Sequence, residues 1–147
     1  MSTPHEPQWL TRRDVEAIHD LQLAQFGGLA GIRDAGTLES ALGRPINRWH
    51  YADAPDVVEC AAAYGFAIAK NHAFADGNKR TAFVAMVTFL ELNRLRLIAS
   101  ERDAVLTMLA VADGTMPEAR LAAWLRATCE RAKASKPKPR KQPKRHR

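Results

Sequence analysis

Between His72 and Arg80 the chain gathers an imidazole, a carboxylate, a glycine, an amide and two cations: His72, Asp76, Gly77, Asn78, Lys79 and Arg80. An imidazole at the lip of a site can take the proton of an attacking hydroxyl near neutral pH. His72 is therefore the candidate general base. Asp76 supplies a hard carboxylate, the donor that suits Mg²⁺ bridging phosphate oxygens. The backbone from Gly77 to Lys79 offers N–H donors, Asn78 a neutral side-chain donor, and Lys79 and Arg80 compensate phosphoryl charge. A phosphate is the natural guest of such a set, and if a nucleoside triphosphate binds, these groups supply the positioning and electrostatics that phosphoryl transfer mainly asks for. Taken singly, each residue has a structural reading: a helix C-cap, a turn, a solvated Lys-Arg face. Their joint occurrence at this spacing favours chemistry, except at Phe74, which reads as an anchor in the core.

These groups need a helix on either side. Asp76-Gly77 is a turn signal, and the run from Thr81 to Leu92 is helical in character. The turn thus delivers the chain to a helix N-terminus, whose free N–H groups and positive dipole end attract anions. Ala82 to Leu90 is apolar nearly all round, which predicts a buried central helix. Upstream, Asp53-Ala54-Pro55-Asp56 starts a helix whose apolar face is Val57, Val58, Ala61, Tyr64, Gly65, Ile68 and Ala69, with Gly65 marking close packing.

The remaining elements follow from caps and periodicity. Thr11 and Asp14 open a first helix with Val15, Ile18, Leu21 or Gln22, and Phe26 inward; Gly27-Gly28 stops it, and His19 reads as a surface or cap histidine. Thr37 caps a short helix from Leu38 to Leu42, ended by Gly43 and Pro45. Ile46 to Ala54 lacks periodicity and carries Trp49 and Tyr51. Asn93 to Ala99 is a short, extended connection. Ser100 caps a helix with Val105, Leu106, Leu109 and Ala112 inward, and Thr115-Met116-Pro117-Glu118 starts a last helix running through Leu121, Trp124, Leu125 and Cys129. The expected class is all-α.

The string His72-x-Phe74-x-Asp76-Gly77-Asn78-Lys79-Arg80 closely resembles the signature of the Fic/Doc family, and Arg33 to Leu42 looks like the N-terminal part of the same pattern. About the first 125 residues fit. Where AMP-transferring Fic proteins carry glycine, this chain has Lys79, as in the Doc-like (death-on-curing) branch. The resemblance implies a helical bundle around a buried central helix, with a flap, expected at Ile46 to Ala54, that aligns a target segment as an added strand. The alternative there is a loop whose Trp49 and Tyr51 cover the core. It further implies ATP and Mg²⁺ as cofactors, His72, Asp76 and Lys79 as catalytic residues, Asp76 as metal ligand, and Lys70, Gly77, Asn78, Lys79 and Arg80 around the nucleotide. Lys70 stands where some relatives have arginine, so a cation is kept but not a bidentate fork. The implied activity is that of a type II toxin: transfer of the ATP γ-phosphate to a Thr or Ser hydroxyl of elongation factor Tu, stopping translation. The family's inhibitory Ser/Thr-x-x-x-Glu-Gly/Asn string does not occur, so restraint is expected in trans from a Phd-like antitoxin.

Composition bounds this reading. The 147 residues fit one domain, 1–133, followed by a basic Lys/Pro-rich tail, 134–147, expected to be disordered. Residues 131–147 hold nine Lys or Arg and no acid, so the rest carries 13 basic against 16 acidic residues. The net charge of +6 therefore concerns the tail, which could contact nucleic acid nonspecifically through Lys136, Lys138, Arg140, Lys141, Lys144, Arg145 and Arg147. Cys60 and Cys129 read as inert thiols. No signal-peptide core or membrane-length apolar run occurs, and a cytoplasmic protein is expected. Two other functions remain open: nucleotidyl (AMP) transfer on the same scaffold, and a nucleic-acid-binding module acting through the tail.

Overall fold

The computed structural model describes residues 5–132. The expected tail, 134–147, lies outside them. In chain order the elements are α1 (Arg12–Phe26), α2 (Ala35–Tyr51), α3 (Val57–Asn71), α4 (Asn78–Leu92), β1 (Leu95–Leu97), α5 (Glu101–Asp113), α6 (Glu118–Thr128) and β2 (Cys129–Arg131). The all-α expectation holds: the strands form a single antiparallel pair that ties the end of α4 to the end of α6.

The hub is α3 rather than α4 alone. Its alanine-rich sequence buries residues on every side, and it packs against α2, α4, α5 and α6. Small side chains let neighbours approach closely, as Gly65 shows: a Cβ there would lie 2.7 Å from Met86 Sδ on α4. α4 buries Ala82, Ala85, Met86, Phe89 and Leu90 against it, while Phe83, Val84 and Val87 stay half-buried. Tyr64 reaches from α3 to the chain before α1, where its hydroxyl accepts the Leu10 N–H at 3.0 Å. Burial pushes that phenol up to about 12.

Several expectations need correction. α2 does not stop at Gly43; it continues through Pro45 to Tyr51, capped by Asp34 instead of Thr37. Leu38, Ala41, Leu42, Pro45 and Trp49 form one buried stripe on it, and packing of that stripe outweighs the hydrogen bond that proline removes. The proposed flap at Ile46 to Ala54 is therefore mostly helix, with Trp49 buried and Tyr51 86% exposed. Pro55 precedes the α3 N-cap, Asp56. On α1 the inward residues are Val15, Ile18, His19 and Gln22, whereas Leu21 and Phe26 are exposed. On α5, Ala104, Thr107, Met108 and Val111 face inward, while Val105, Leu106 and Leu109 are exposed. The smaller face allows α5 to sit close to α3 and α4. α6 is capped by Pro117 and ends at Thr128, so Cys129 starts β2.

The first helix opens as expected, with Thr11 and Asp14 forming a reciprocal capping box. Glu118, buried at the start of α6, binds Arg44 at 2.6 Å and also Arg48, and so fastens α6 to α2. Cys60 is buried, Cys129 half-buried, and both are free thiols. Among the described residues no helix is long and apolar enough to cross a membrane.

Candidate active site

The loop between α3 and α4 is bounded by two left-handed residues. His72 ends α3 at φ 51, ψ 53, and Gly77 precedes α4 at φ 74, ψ 18. For glycine this conformation is free of cost; for histidine it is a strained C-cap that turns the chain sharply out of the helix. His72 stands exposed at that corner, at the surface where a base for an incoming hydroxyl must be.

Between these corners Phe74 is buried and fixes the loop from below. Asn78, 8% exposed, accepts the Phe74 N–H at 3.0 Å through Oδ1 and donates to the Phe74 carbonyl at 2.9 Å through Nδ2. Its side chain shapes the loop, which departs from the expected side-chain contact with a phosphate. What Asn78 offers outward is its backbone N–H. No side chain caps α4, so the N–H groups at its start are available to an anion, and Lys79 and Arg80 lie exposed on the same turn.

Asp76 is exposed and its carboxylate is already oriented. Oδ1 accepts the Gly77 N–H at 2.8 Å and Oδ2 the Leu29 N–H at 3.3 Å. The Gly77 bond first, then the Leu29 bond and the nearby Arg80 charge, hold its carboxyl below the usual carboxylate range, so it is an anion at neutral pH. Among the described residues no group of three or more His, Cys, Asp or Glu could hold a metal ion. A lone carboxylate cannot cage Mg²⁺, but it fits an ion that brings most of its oxygen ligands with the phosphates.

Residues missed in the sequence close the loop from α1. Gly27 to Asp34 runs alongside it: Arg33 and Asp34 donate to the Ala73 carbonyl, Ala75 donates to Gly31, and Ile32 pairs with Phe74. This segment meets the loop through one isolated bridge, Ile32 with Phe74. Gly28 sits so near Asp76 that a Cβ would meet Oδ2 at 2.7 Å. His19, read as a surface histidine, is 2% exposed, stacks on Phe74 with centroids 3.9 Å apart, and its Nε2 lies 2.8 Å from the Asp76 carbonyl. Only its place in helical phase with the buried Val15, Ile18 and Gln22 could have drawn attention to it. The Arg80 guanidinium stands 4.9 Å over the Phe26 ring.

His72, Asp76, Gly77, Asn78, Lys79 and Arg80 thus share one loop and helix turn. Lys70 does not join them. Its Nζ stands 5.6 Å over Phe66 and 3.3 Å from where a Gly114 Cβ would be, beside Asp113 at the α5–α6 turn. The reason is helical phase, since two residues rotate a side chain by more than half a turn. Two clefts run along α2 and meet at Ser40 and Asn71; the one of about 480 Å³ reaches Arg44, Arg48 and Glu118. Asn71, which lines both, precedes His72 in the chain.

The stretch that contains this loop is similar in sequence to known proteins. The sequence model of the Fic/DOC family matches residues 9–90. The chain is 35% identical over 99 residues to the protein named Protein kinase doc of Escherichia phage P1, covering 67% of this chain and 79% of that one. It is 41% identical over 93 residues to the protein named Toxin Doc of Mycolicibacterium smegmatis, covering 63% and 69% respectively.

Proposed function

The chain belongs to the Fic/DOC family, and from that footing we propose that it is a Doc-like toxin that transfers the γ-phosphate of ATP to a Thr or Ser hydroxyl of a translation factor. The observation that carries this reading is the pairing, on one short loop, of an exposed His72 with an uncapped helix N-terminus flanked by Asp76, Lys79 and Arg80. The names of the two relatives, a kinase and a toxin, support the choice of phosphoryl transfer.

In this mechanism His72 takes the proton of the acceptor hydroxyl as its oxygen bonds to the γ-phosphorus. The bond from that phosphorus to the β–γ bridging oxygen breaks, and ADP leaves with the electron pair. The N–H groups of Asn78, Lys79 and Arg80, with the two side-chain cations, hold the phosphate oxygens in place. Asp76 would hold Mg²⁺, which supplies charge neutralisation on those oxygens when bound. Lys79 fills the position that a glycine would leave open and adds a cation, which favours γ- over α-phosphate transfer. Asn78 contributes by fixing the loop.

Elongation factor Tu is the proposed acceptor, and a Phd-like antitoxin the proposed restraint. Exposed Phe26 and Leu29, beside Arg80 and Asp76 respectively, give such a partner apolar contact next to the site. A role for residues 134–147 in nucleic-acid contact stays a separate proposal.

Mass spectrometry of elongation factor Tu after incubation with the protein and Mg-ATP tests the reading. A gain of one phosphoryl group on a Thr or Ser supports it. A gain of a whole AMP assigns nucleotidyl transfer instead, and an unmodified factor removes this acceptor.

A further inference from the structure

We propose that His19 is a positioning residue for the phosphate loop: it locks the Asp76–Gly77 peptide in the one orientation that the transfer site uses. This rests on the phosphotransferase reading above, since it names how that same site is held.

Asp76–Gly77 is the peptide most able to turn over. It precedes a glycine in the left-handed region at φ 74, and glycine tolerates either sign of φ. Rotation of the peptide plane is therefore opposed by little except what grips its two ends. The N–H end is held by the Asp76 carboxylate at 2.8 Å, a bond made by a residue that is itself exposed and that the proposed mechanism also assigns to a metal. The carbonyl end is held by His19 Nε2 at 2.8 Å. A flip would break both bonds and displace the amides that open α4.

His19 is built for this task in three respects. A carbonyl oxygen can only accept, so Nε2 must carry the proton and donate it. The ring cannot swing, because it lies 11° from parallel against Phe74 with centroids 3.9 Å apart, and Phe74 is tied in turn to Asn78. Its edge also faces the turn, since Nε2 and Cδ2 both lie 3.8 Å from where a Gly77 Cβ would stand. One turn later on α1, Leu23 approaches the same point at 3.7 Å. A residue serving only to fill the core would be apolar, and leucine here would leave the Asp76 carbonyl without its partner.

The test compares His19→Gln, His19→Asn and His19→Ala. A glutamine amide can reach the place of Nε2, whereas an asparagine amide falls short. The expected result is that the Ala and Asn variants lose about 10- to 100-fold in kcat/KM for Mg-ATP, the size seen when a supporting hydrogen bond to a site is lost, while Gln recovers most of it. Two readouts do not need turnover. Calorimetry with Mg²⁺ and a non-hydrolysable ATP analogue should show the same ranking, and the Gly77 to Arg80 amide resonances should shift in Ala and Asn but return toward wild type in Gln. In wild type, ¹⁵N spectra should place the proton on His19 Nε2. Should Ala fail to fold, the Gln–Asn pair decides alone. Equal behaviour of Gln and Asn in all readouts, or wild-type turnover and affinity in Ala, overturns the proposal. If wild type transfers no phosphate yet the amide shifts and analogue affinity follow the series, the function reading fails and the positioning role stands.

Discussion

The Asn78 side chain closes a ring on the peptide groups of Phe74, accepting from its N–H at 3.0 Å and donating to its carbonyl at 2.9 Å. An amide two hydrogen bonds deep in its own loop works as a clamp. Asn78→Ala would leave both Phe74 groups buried without partners. The expected cost is about 2 to 4 kcal/mol, from roughly 1 to 2 per lost bond, read as a lower midpoint in urea unfolding. A side chain that served only a phosphate would lower nucleotide affinity and leave that midpoint unchanged.

Gly28 is a position where the α1–α2 connection leaves no room for a Cβ beside the carboxylate of the site. Gly28→Ala puts a Cβ 2.7 Å from Asp76 Oδ2 at a φ of +123. Something must move, and the expected loss is about 1 to 3 kcal/mol, with Mg-ATP binding weakened in parallel. Gly27→Ala shares the positive φ but meets nothing within 4 Å, so it should cost stability and spare the site. Thermal melts and calorimetry on the pair separate the two effects.

Acid should weaken the protein through three hydrogen-bonded aspartates. Asp34, held low first by the Thr37 N–H, Asp76 by the Gly77 N–H and Asp113 by the Thr115 hydroxyl, all have folded values below the ordinary one. A depressed carboxyl adds stability above its unfolded pKa, and that stability is lost as pH falls through the folded value. The melting temperature should therefore be flat near neutrality and fall below about pH 4. Asp76→Asn should make that acid fall shallower, which melts across the acid range would show.

Lys79 lies exposed in the first turn of α4, so its replacement touches no core. Lys79→Gly should cost about 1 kcal/mol of helix stability, weaken γ-phosphoryl transfer, and open the way to nucleotidyl transfer. ATP labelled at the α or the γ position reports which group reaches the acceptor.

The elements nearest the chemistry were legible because local signals agree there. Asp-Gly before an apolar run marks the α4 N-terminus, Thr11 with Asp14 marks the start of α1, and Gly65 announces close packing, all as found. Pro45 misled, since a stripe from Leu38 to Trp49 carries α2 through it. On α5 the large apolar residues Val105, Leu106 and Leu109 indicated the wrong face, because the fold uses the slimmer one. Lys70 fell out of the site by helical phase, and the segment Gly27 to Asp34 entered it through backbone bonds that carry no residue signature. His19 was illegible for a similar reason: its partner is a carbonyl, which every residue has.

The central claim is that His72 draws the proton from an acceptor hydroxyl while the loop beside it holds a triphosphate. Incubation of a cell lysate with γ-labelled ATP, Mg²⁺ and either the wild-type protein or His72→Ala tests it most directly. The prediction is a labelled protein band with wild type and none with the variant, both sharing one circular-dichroism spectrum because His72 is exposed at a helix end. Equal labelling by the two would contradict general-base catalysis by this histidine.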